Sequence, residues 1–278
     1  MPDRIRLACV QMTSRDDKGR NLETAERLVG RAAATGADIV VLPEKWNWIG
    51  AAGDAAANAE PLDGGESVGA MAAWARTHGI TLVGGSISER REGREKLSNT
   101  CCVFSPDGRL AGVYRKIHLF DVEVGGLVYR ESEGEEPGDE VVVCEAEDWQ
   151  IGLTICYDLR FPELFRLLAV EGAELLTVPS HFTVFTGKDH WHALLRARAI
   201  ENQSYVAAAA QVGETRPGRP SYGRSLIADP WGVVLAQAPD EETVISAELD
   251  RARVEDVRGR LPSLRSRRPE AYRRSAPA

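Results

Sequence analysis

Apolar residues along most of the chain either alternate with polar residues or form short unbroken runs, and Gly and Pro residues separate these segments. A period of two indicates a half-buried strand, and a period near 3.6 indicates an amphipathic helix. Strands are predicted at residues 4–12, 37–42, 81–88, 100–104, 110–115, 141–144, 150–155, 175–178, 205–210 and 243–249. Helices are predicted at residues 21–35, 67–78, 162–170, 189–202 and 251–261.

Two turns and one long connection complete this pattern. Hairpin turns are predicted at residues 105–108 and 229–232, and residues 119–139, rich in Gly and Glu, are predicted to form a long loop. Strands that alternate with helices, together with hairpins, imply a layered α/β fold with a mixed sheet. Because no linker, low-complexity tract or short repeat interrupts the pattern, we expect one domain over residues 1–278.

Composition narrows the class of protein. The chain has 278 residues, 43% of them hydrophobic, which is ample for a sizeable core. A net charge of −8 gives no basic field for nucleic acid, and the arginines after residue 264 are interpreted as a solvated tail or an arm against a partner subunit. No apolar run is long enough to span a bilayer, and the strand-like beginning predicts no signal peptide. Five scattered cysteines argue against a disulfide framework and favour a reducing, cytoplasmic compartment.

Cys156 is the most informative residue. It ends an apolar, β-branched run and stands a few residues before a helix-like stretch that begins at Pro162. Ligand sites of open α/β sheets form at the carboxyl ends of strands. A nearby helix N-terminus would also favour the thiolate, which is the nucleophilic form of cysteine.

Glu44 and Lys116 stand in comparable positions, each at the end of an apolar strand or just past it. Taken alone, each is most simply a solvated end residue or a salt-bridge partner. A lone buried cysteine is usually an inert small hydrophobe. The residue types therefore leave a structural interpretation open beside a catalytic one.

The flanking residues favour the catalytic interpretation. The chain resembles the nitrilase, or carbon–nitrogen hydrolase, superfamily in three segments that occur in the family's order and spacing: Leu42-Pro43-Glu44-Lys45-Trp46, Tyr114-Arg115-Lys116-Ile117-His118-Leu119-Phe120-Asp121 and Ile155-Cys156-Tyr157-Asp158-Leu159-Arg160-Phe161-Pro162-Glu163. Residues 190–203, 222–225 and 229–232 match as well. The resemblance spans residues 5–272 and is greatest to the Nit branch, which holds deaminated-glutathione amidases and ω-amidases of α-keto acids.

This resemblance implies a four-layer αββα sandwich with mixed sheets, and neither a metal nor an organic cofactor. It implies a cysteine-dependent amidase that acts on a small carboxylate-bearing amide through a thioester and releases ammonia or an amine. It also implies dimers or larger assemblies, packed through the helices around Pro162 and Asp189 and through a C-terminal tail at residues 262–278. The expected partners are a small-molecule amide and copies of the chain, without nucleic acid or membrane.

Catalytic roles follow from the resemblance and from the chemistry of amide hydrolysis, which needs a nucleophile, a proton shuttle and an oxyanion site. Cys156 would attack the carbonyl, Glu44 would move the proton, and Lys116 with the backbone N–H of Tyr157 would stabilise the oxyanion. Lys116 would lower the pKa of the thiol and Glu44 would raise it. Glu131 matches a second glutamate that orients the lysine and the water in the family, although its acidic neighbours also suit a solvated loop.

Substrate contacts are expected mainly from residues close to Glu44, Lys116 and Cys156. Arg160 would clamp a carboxylate with its two-pronged guanidinium, and its alternative is an ion pair with Glu163. The other residues expected to line the pocket are Trp46, Phe120, Tyr129, Phe182 and Thr186, for whose aromatic members core packing is an equally good account. His181 departs from the Nit branch, which usually has a small residue there, and its ring could narrow the pocket.

Four alternatives stay open at this point. A metal hydrolase is disfavoured because His190 and His192 are two residues apart and face different directions on a helix. A papain-like hydrolase would need a histidine base, for which His118 is the candidate. A non-catalytic scaffold with the same fold would be free to lose Glu44, Lys116 or Cys156, and the chain has all three. Within the superfamily, a nitrilase, an aliphatic amidase or an N-carbamoyl amidohydrolase would use the same residues.

Overall fold

The computed structural model describes residues 3–272, and its helices and strands follow the alternation seen in the sequence. The strands are β1 Arg4–Gln11, β2 Ile39–Val41, β3 Thr81–Val83, β4 Ile87–Glu89, β5 Ser98–Phe104, β6 Leu110–Arg115, β7 Asp121–Val124, β8 Leu127–Arg130, β9 Val143–Ala146, β10 Trp149–Leu153, β11 Leu175–Thr177, β12 Tyr205–Ala208, β13 Val212–Arg216, β14 Arg219–Tyr222, β15 Leu226–Ala228, β16 Val234–Gln237 and β17 Thr243–Asp250. The α-helices are α1 Lys18–Ala34, α2 Ala55–Asn58, α3 Glu66–His78, α4 Pro162–Val170, α5 Val184–Asn202, α6 Arg251–Arg260 and α7 Pro269–Tyr272. Short 3₁₀ turns lie at Ala52–Asp54, Glu131–Glu133 and Cys156–Arg160.

Two mixed sheets carry most of the strands. The first has the order β17-β1-β2-β3-β5-β4, with β6 paired to β5, and the second has the order β16-β15-β12-β11-β10-β9. In each sheet three neighbouring strands run parallel, β1-β2-β3 in the first and β10-β11-β12 in the second, and antiparallel strands flank them. The carboxyl ends of the parallel strands therefore supply the loops that reach one edge, where ligand sites of such sheets form.

Alternation along the central strands separates the two faces of the first sheet. In β1, Leu7 and Cys9 belong to the core between the sheets, whereas Ala8 and Val10 pack with residues of α1 and α3. Helices α4 and α5 contact the second sheet through β10 and β12. The layers are thus helix, sheet, sheet and helix, and the predicted four-layer αββα sandwich is confirmed.

Several predicted boundaries need correction. The strand predicted at residues 81–88 is broken into β3 and β4 at Gly84-Gly85. Gly85 has a φ of +58°, and a Cβ there would approach the Pro43 carbonyl oxygen to 2.1 Å, so only glycine fits. Helix α1 begins at Lys18 instead of residue 21, because Asp17 caps it by accepting from the Arg20 N–H. Helix α5 begins at Val184 instead of residue 189, with Thr183 as its cap.

Two hairpins were not predicted, and they matter most for the site. The long loop predicted at residues 119–139 contains the hairpin β7–β8, and a second hairpin, β13–β14, follows β12. Each hairpin is a two-stranded sheet of its own. The predicted tail at residues 262–278 is described only as far as Tyr272, and its role in subunit contacts stays a prediction. The last arginines of the sequence, Arg273 and Arg274, lie outside the described residues.

Candidate active site

Three polar side chains meet where strands of both sheets end. Glu44 follows β2 by three residues, Lys116 directly follows β6, and Cys156 follows β10 by three residues. All three line one cavity of about 720 Å³. The chain thus brings together a carboxylate, an ammonium group and a thiol that are far apart in sequence.

The Lys116 ammonium group lies between two carboxylates. Its Nζ is 3.0 Å from Glu44 Oε1 and 2.9 and 2.8 Å from the two oxygens of Glu131. Burial alone would lower the pKa of Lys116, but attraction to Glu131 and Glu44 outweighs it and the pKa is raised well above its usual value. Lys116 is therefore a buried, fixed positive charge at the cavity.

Glu44 is held as an ionised carboxylate. Its Oε1 also accepts from Asn99 Nδ2 at 2.8 Å, and its Oε2 accepts from the backbone N–H of His181 at 2.8 Å. Burial would raise the pKa of Glu44, yet the Lys116 charge prevails and lowers it. An ionised carboxylate with fixed orientation is the form that a general base requires.

Glu131 belongs to the same cluster, although its segment was predicted to be loop. It lies in the 3₁₀ turn that follows β8, and its Oε2 accepts from the Phe120 N–H at 2.6 Å. Burial raises its pKa, but attraction to Lys116 and Lys45 lowers it on balance. The turn after the β7–β8 hairpin thus delivers a second ionised carboxylate to Lys116.

Cys156 has a strained backbone at the start of a 3₁₀ turn. Its φ is +48°, in the left-handed region that non-glycine residues seldom adopt, and its N–H donates to the Pro179 carbonyl at 2.9 Å. Such strain, held by the surrounding hydrogen bonds, is often found at functional positions. The turn presents the cysteine to the cavity while Leu153 and Ile155 stay in the core.

The expectation that a helix end favours the Cys156 thiolate is wrong. The thiol lies in a turn of five residues ahead of α4, and burial followed by the Glu44 charge raises its pKa well above the usual value, against the smaller lowering by Lys116. The competition that the sequence left open is thus decided in favour of the neutral thiol. A neutral thiol becomes a strong nucleophile only when a base removes its proton.

Asp158 stabilises this turn through hydrogen bonds, and it also contacts the His118 ring. The Asp158 carboxylate accepts from Tyr114 Oη at 2.7 Å, from the Ile155 N–H at 2.8 Å and from the His118 N–H at 3.1 Å. The His118 ring has Nδ1 2.8 Å from Asp158 and stacks on Phe161 with ring centroids 3.5 Å apart. His118 is not among the residues that line the cavity, so the geometry gives no support to a Cys156–His118 pair.

Most of the expected substrate contacts do line the cavity. These residues are Phe120, Tyr129, Arg160, His181, Phe182 and Thr186, and Tyr157, expected as the backbone donor to the oxyanion, lines the cavity as well. Trp46 needs correction, because its ring is wholly buried among α1, α3 and the first sheet, 5.4 Å from Trp74. Its Nε1 donates to the Gly84 carbonyl at 2.9 Å, so Trp46 packs behind the site.

Arg160 faces the cavity and is not ion-paired with Glu163. Its Nη1 lies 3.2 Å from His190 Nδ1, and its guanidinium carbon lies 5.2 Å from the centre of the Phe182 ring. No carboxylate of residues 3–272 lies within ion-pair distance of it. The guanidinium is therefore available to an anion in the cavity.

Five further residues of the site were missed by the sequence analysis. They are Lys45, Asn99, Glu135, Arg216 and Arg219, of which all but Asn99 line the cavity. Lys45 is ion-paired with Glu135, and burial raises the pKa of Glu135 to about 7. Asn99 had little signal in the sequence, because it precedes the strand predicted at residues 100–104, whereas the structure places it, buried, within β5. The arginines had none, because their hairpin was not predicted.

Residues 3–272 hold no cluster of three or more His, Cys, Asp and Glu side chains suited to a metal ion. The five cysteines, all within this range, are free and buried. None of its helices has the length and apolar character needed to cross a membrane.

The fold is an αββα sandwich whose cavity is lined by a thiol, an ammonium group and carboxylates, and comparison with known proteins gives the family. Residues 6–259 match the carbon–nitrogen hydrolase family, and the chain belongs to it. It is 43% identical over 270 residues to omega-amidase NIT2 of Xenopus tropicalis, with 97% of each chain covered.

Solved structures agree with this assignment. The C. elegans NitFhit protein superimposes with a TM-score of 0.90 at 38% identity, covering 97% of this chain and 66% of that one. Saccharomyces cerevisiae Nit3, a member of branch 10 of the nitrilase superfamily, gives a TM-score of 0.86 at 35% identity, covering 93% and 94% of the two chains. The predicted resemblance to the nitrilase superfamily and its Nit branch is confirmed, and the chain is a carbon–nitrogen hydrolase of the amidase type.

Proposed function

We propose that the chain hydrolyses the ω-amide of a small α-keto acid, with Cys156 as nucleophile. The observation that carries the proposal is the contact of one buried ammonium group, Lys116, with two carboxylates, in the cavity that Cys156 lines. The similarity to omega-amidase NIT2 supports this choice of substrate class. Deaminated glutathione is the second candidate, because it also joins an α-keto acid to an amide.

In the acylation step the sulfur of Cys156 bonds to the amide carbon while Glu44 takes the thiol proton. The raised pKa of the thiol and the lowered pKa of Glu44 require this transfer to accompany the attack. Lys116 and the Tyr157 N–H stabilise the oxyanion. The C–N bond then breaks and Glu44 gives the proton to the departing nitrogen. Ammonia is released, and the acyl group remains bound to Cys156 as a thioester.

Deacylation repeats these roles with water. Glu44 takes a proton from a water molecule while the water oxygen attacks the thioester carbon. The C–S bond then breaks, and Glu44 returns the proton to the Cys156 sulfur. Glu131 holds Lys116 throughout. Because three carboxylate oxygens already meet the three N–H donors of Lys116, contact with the oxyanion replaces one of its bonds to Glu131.

The acid part of the substrate lies toward Arg160. A guanidinium binds both oxygens of a carboxylate in one plane, and Arg160 has no carboxylate of the described residues as its partner. Phe120, Tyr129 and Phe182 supply apolar contacts for the carbon chain, and Thr186 a hydroxyl. His181 narrows the cavity where Nit-branch relatives usually have a small residue.

An ammonia-release screen tests the substrate class. It compares α-ketoglutaramate, deaminated glutathione, a simple aliphatic amide, a nitrile and an N-carbamoyl amino acid, with product acids measured alongside ammonia. We expect the ω-amide to give the highest kcat/KM. Preference for the nitrile or the carbamoyl compound would reject the ω-amidase proposal within the same family, and no turnover of any of them would favour the scaffold.

We also propose a homo-oligomer in a reducing, cytoplasmic compartment. Leu167 and Val170 on α4 and Ile200 on α5 are exposed apolar residues on the helices expected to pack between subunits. Five free thiols suit a reducing compartment. Light scattering after size-exclusion chromatography tests the assembly, since Leu167→Glu should lower the measured mass and a monomeric wild type would reject it.

A further inference from the structure

The β13–β14 hairpin forms part of the cavity wall and is tied to the residues around Cys156. The Tyr222 N–H donates to the Phe182 carbonyl at 2.8 Å, and Thr215 Oγ1 lies 3.0 Å from His181 Nε2. His181 in turn donates its backbone N–H to Glu44. Side chains on this hairpin are therefore held in a fixed relation to the reacting groups.

Two arginines of the hairpin, Arg216 and Arg219, line the cavity. Arg216 donates to the Gly50 carbonyl at 3.3 Å, but its buried Nε has no hydrogen-bond acceptor among the described residues. The guanidinium carbon of Arg219 lies 5.0 Å from the centre of the Tyr129 ring. Neither arginine has a carboxylate of residues 3–272 within ion-pair distance, so two half-buried cations share a wall without a counter-ion.

This arrangement is electrostatically unfavourable until an anion arrives. Burial, and after it the neighbouring Arg219 charge, lower the pKa of Arg216. A buried donor without an acceptor is destabilising, and a carboxylate would satisfy it with charge-assisted hydrogen bonds. The part of the wall near Glu131, Glu133 and Glu135 is less suited to an anion, although Lys45 and Lys96 also line the cavity.

The cavity has room for such an anion beyond the carboxylate expected at Arg160. Its volume of about 720 Å³ is in the range of pockets that hold drug-sized ligands. Arg160 stands on the turn that follows Cys156, whereas Arg216 and Arg219 stand on a separate element. The two groups of cations can therefore serve two carboxylates of one substrate.

We propose that Arg216 and Arg219 form a second anion subsite, which favours amides that carry a carboxylate in addition to the one bound near Arg160. This inference rests on the proposed function, and it names the substrate class of the same site. The extra carboxylate belongs either to the acyl part or to the leaving amine, and the chemistry that the arginines recognise is the same in both cases.

The kinetic test compares Arg216→Gln and Arg219→Gln with the wild type on three amides. One is a primary amide with a single carboxylate, one a primary amide with a second carboxylate on the acyl part, and one an amide whose leaving amine carries the second carboxylate. We expect at least one dianionic amide to lose roughly ten- to one-hundred-fold in kcat/KM through KM, while the monoanionic amide changes by less than about three-fold. Arg109 is an exposed arginine at another hairpin, and Arg109→Gln should leave kcat/KM unchanged for all three amides.

The identity of the affected substrate locates the extra carboxylate. Equal losses for all three amides, or no loss for any, would overturn the subsite. The monoanionic amide and a thermal melt serve as internal checks that each variant is folded. Because each arginine is replaced separately, misfolding of one variant leaves the other to decide.

A binding measurement separates this inference from the proposed function. Calorimetry on Cys156→Ala protein, with and without Arg216→Gln, compares a dicarboxylic and a tricarboxylic acid as ligands. We expect Arg216→Gln to weaken the tricarboxylic acid selectively, by about ten-fold or more. If this difference appears while no amide is hydrolysed by the wild type, the proposed function fails and the subsite stands. If Cys156-dependent hydrolysis is found without any such difference, the subsite alone fails.

Discussion

The cavity has a floor, formed by Glu44, Lys116, Glu131 and Cys156, and a hairpin wall, formed by β7–β8 and β13–β14. Three of the four floor residues follow strands of the two main sheets. Asn99 and His181 donate hydrogen bonds to Glu44, and Asp158 accepts one from the Ile155 N–H, so the floor and the turn of Cys156 are held in place. Each hairpin is a two-stranded sheet separate from the two main sheets, and β14 also has a single antiparallel bridge between Ser221 and Thr183. The floor is rigid because the core fixes it, whereas the wall can vary its side chains without disturbing the core.

This difference assigns separate tasks to the two regions. Fixed charges on strand ends suit the chemical step, which needs an oriented base and oxyanion donors. Partly exposed hairpins that carry arginines and tyrosines are suited to binding the substrate and to discriminating between substrates. We therefore expect substitutions in the floor to lower kcat and substitutions in the wall to change KM or specificity, and the following variants test that division.

Removal of the sulfur should have the largest effect. Cys156→Ala should lower turnover of the best amide by roughly 10⁴- to 10⁶-fold, because no other group can form the thioester. Cys144→Ala is the matched control, since both thiols are buried with 7% exposure and only Cys156 lines the cavity. Ammonia release measures both, and turnover retained in Cys156→Ala would reject the mechanism.

Loss of the buried ammonium group should come next. Lys116→Met should lower kcat by roughly 10²- to 10³-fold, the usual effect of removing an oxyanion donor. It also removes the cation between Glu44 and Glu131 and leaves only the more distant Lys45 near Glu131, so the melting temperature should fall. Activity is therefore measured per folded molecule, and Lys188→Met, whose exposed cation pairs with Asp189, should change little.

Glu131 tests whether a residue next to the hairpin wall belongs to the floor. Glu131→Gln should lower kcat by about 10²-fold with KM nearly unchanged, because Lys116 would lose an ionic contact that holds it. Glu133→Gln, in the same 3₁₀ turn, is the matched control. Steady-state kinetics measure kcat and KM for both variants. A change confined to KM would show that Glu131 acts in substrate binding, like the hairpin wall, and not in the chemical step.

Arg160 stands between the two regions, on the turn of Cys156 but facing the substrate. Arg160→Lys keeps the charge and loses the two-pronged geometry, so KM for a carboxylate-bearing amide should rise about ten-fold with kcat changed by less than about three-fold. An amide without a carboxylate should show no such rise. Equal effects on both amides would contradict the carboxylate clamp.

His181 joins the floor to the wall, and its effect should be the smallest. Burial lowers the pKa of His181 from 6.5 to about 4, so the unfolded chain binds more protons than the folded chain between these pH values. The stability contributed by the neutral ring is therefore present above pH 6.5 and lost as the pH falls toward 4.

Denaturant unfolding at several pH values checks this effect. Between pH 6.5 and 4, the free energy of unfolding of the wild type should fall by about 1–3 kcal/mol more than that of His181→Ala. Parallel pH dependences in the two proteins would contradict burial of the neutral ring. The same variant should relax the cavity near Thr215, which a lower KM for bulkier amides would reveal.

Much of the fold could be predicted because its signals are local. Pro162 begins α4 and the apolar spacing carries it to Val170, as predicted, and the hairpin turns at residues 105–108 and 229–232 lie between paired strands. The two other hairpins escaped prediction because their short strands are largely half-buried or exposed and have no strong apolar pattern. Trp46 was assigned to the cavity because an aromatic residue beside a motif has no local sign of which way its ring points.

The sequence by itself indicated that a thiol, a carboxylate and an ammonium group stand at strand ends, because strand periodicity is written in neighbouring residues. Its short motifs resemble those of αββα carbon–nitrogen hydrolases. The catalytic roles of these three groups stay predictions until the variants are measured. Tertiary structure alone decided that Lys116 contacts both Glu44 and Glu131, that Cys156 rests as a neutral thiol, and that Arg216 and Arg219 face the same cavity. Distances, burial and charge compensation between distant segments set these properties, and no local pattern encodes them.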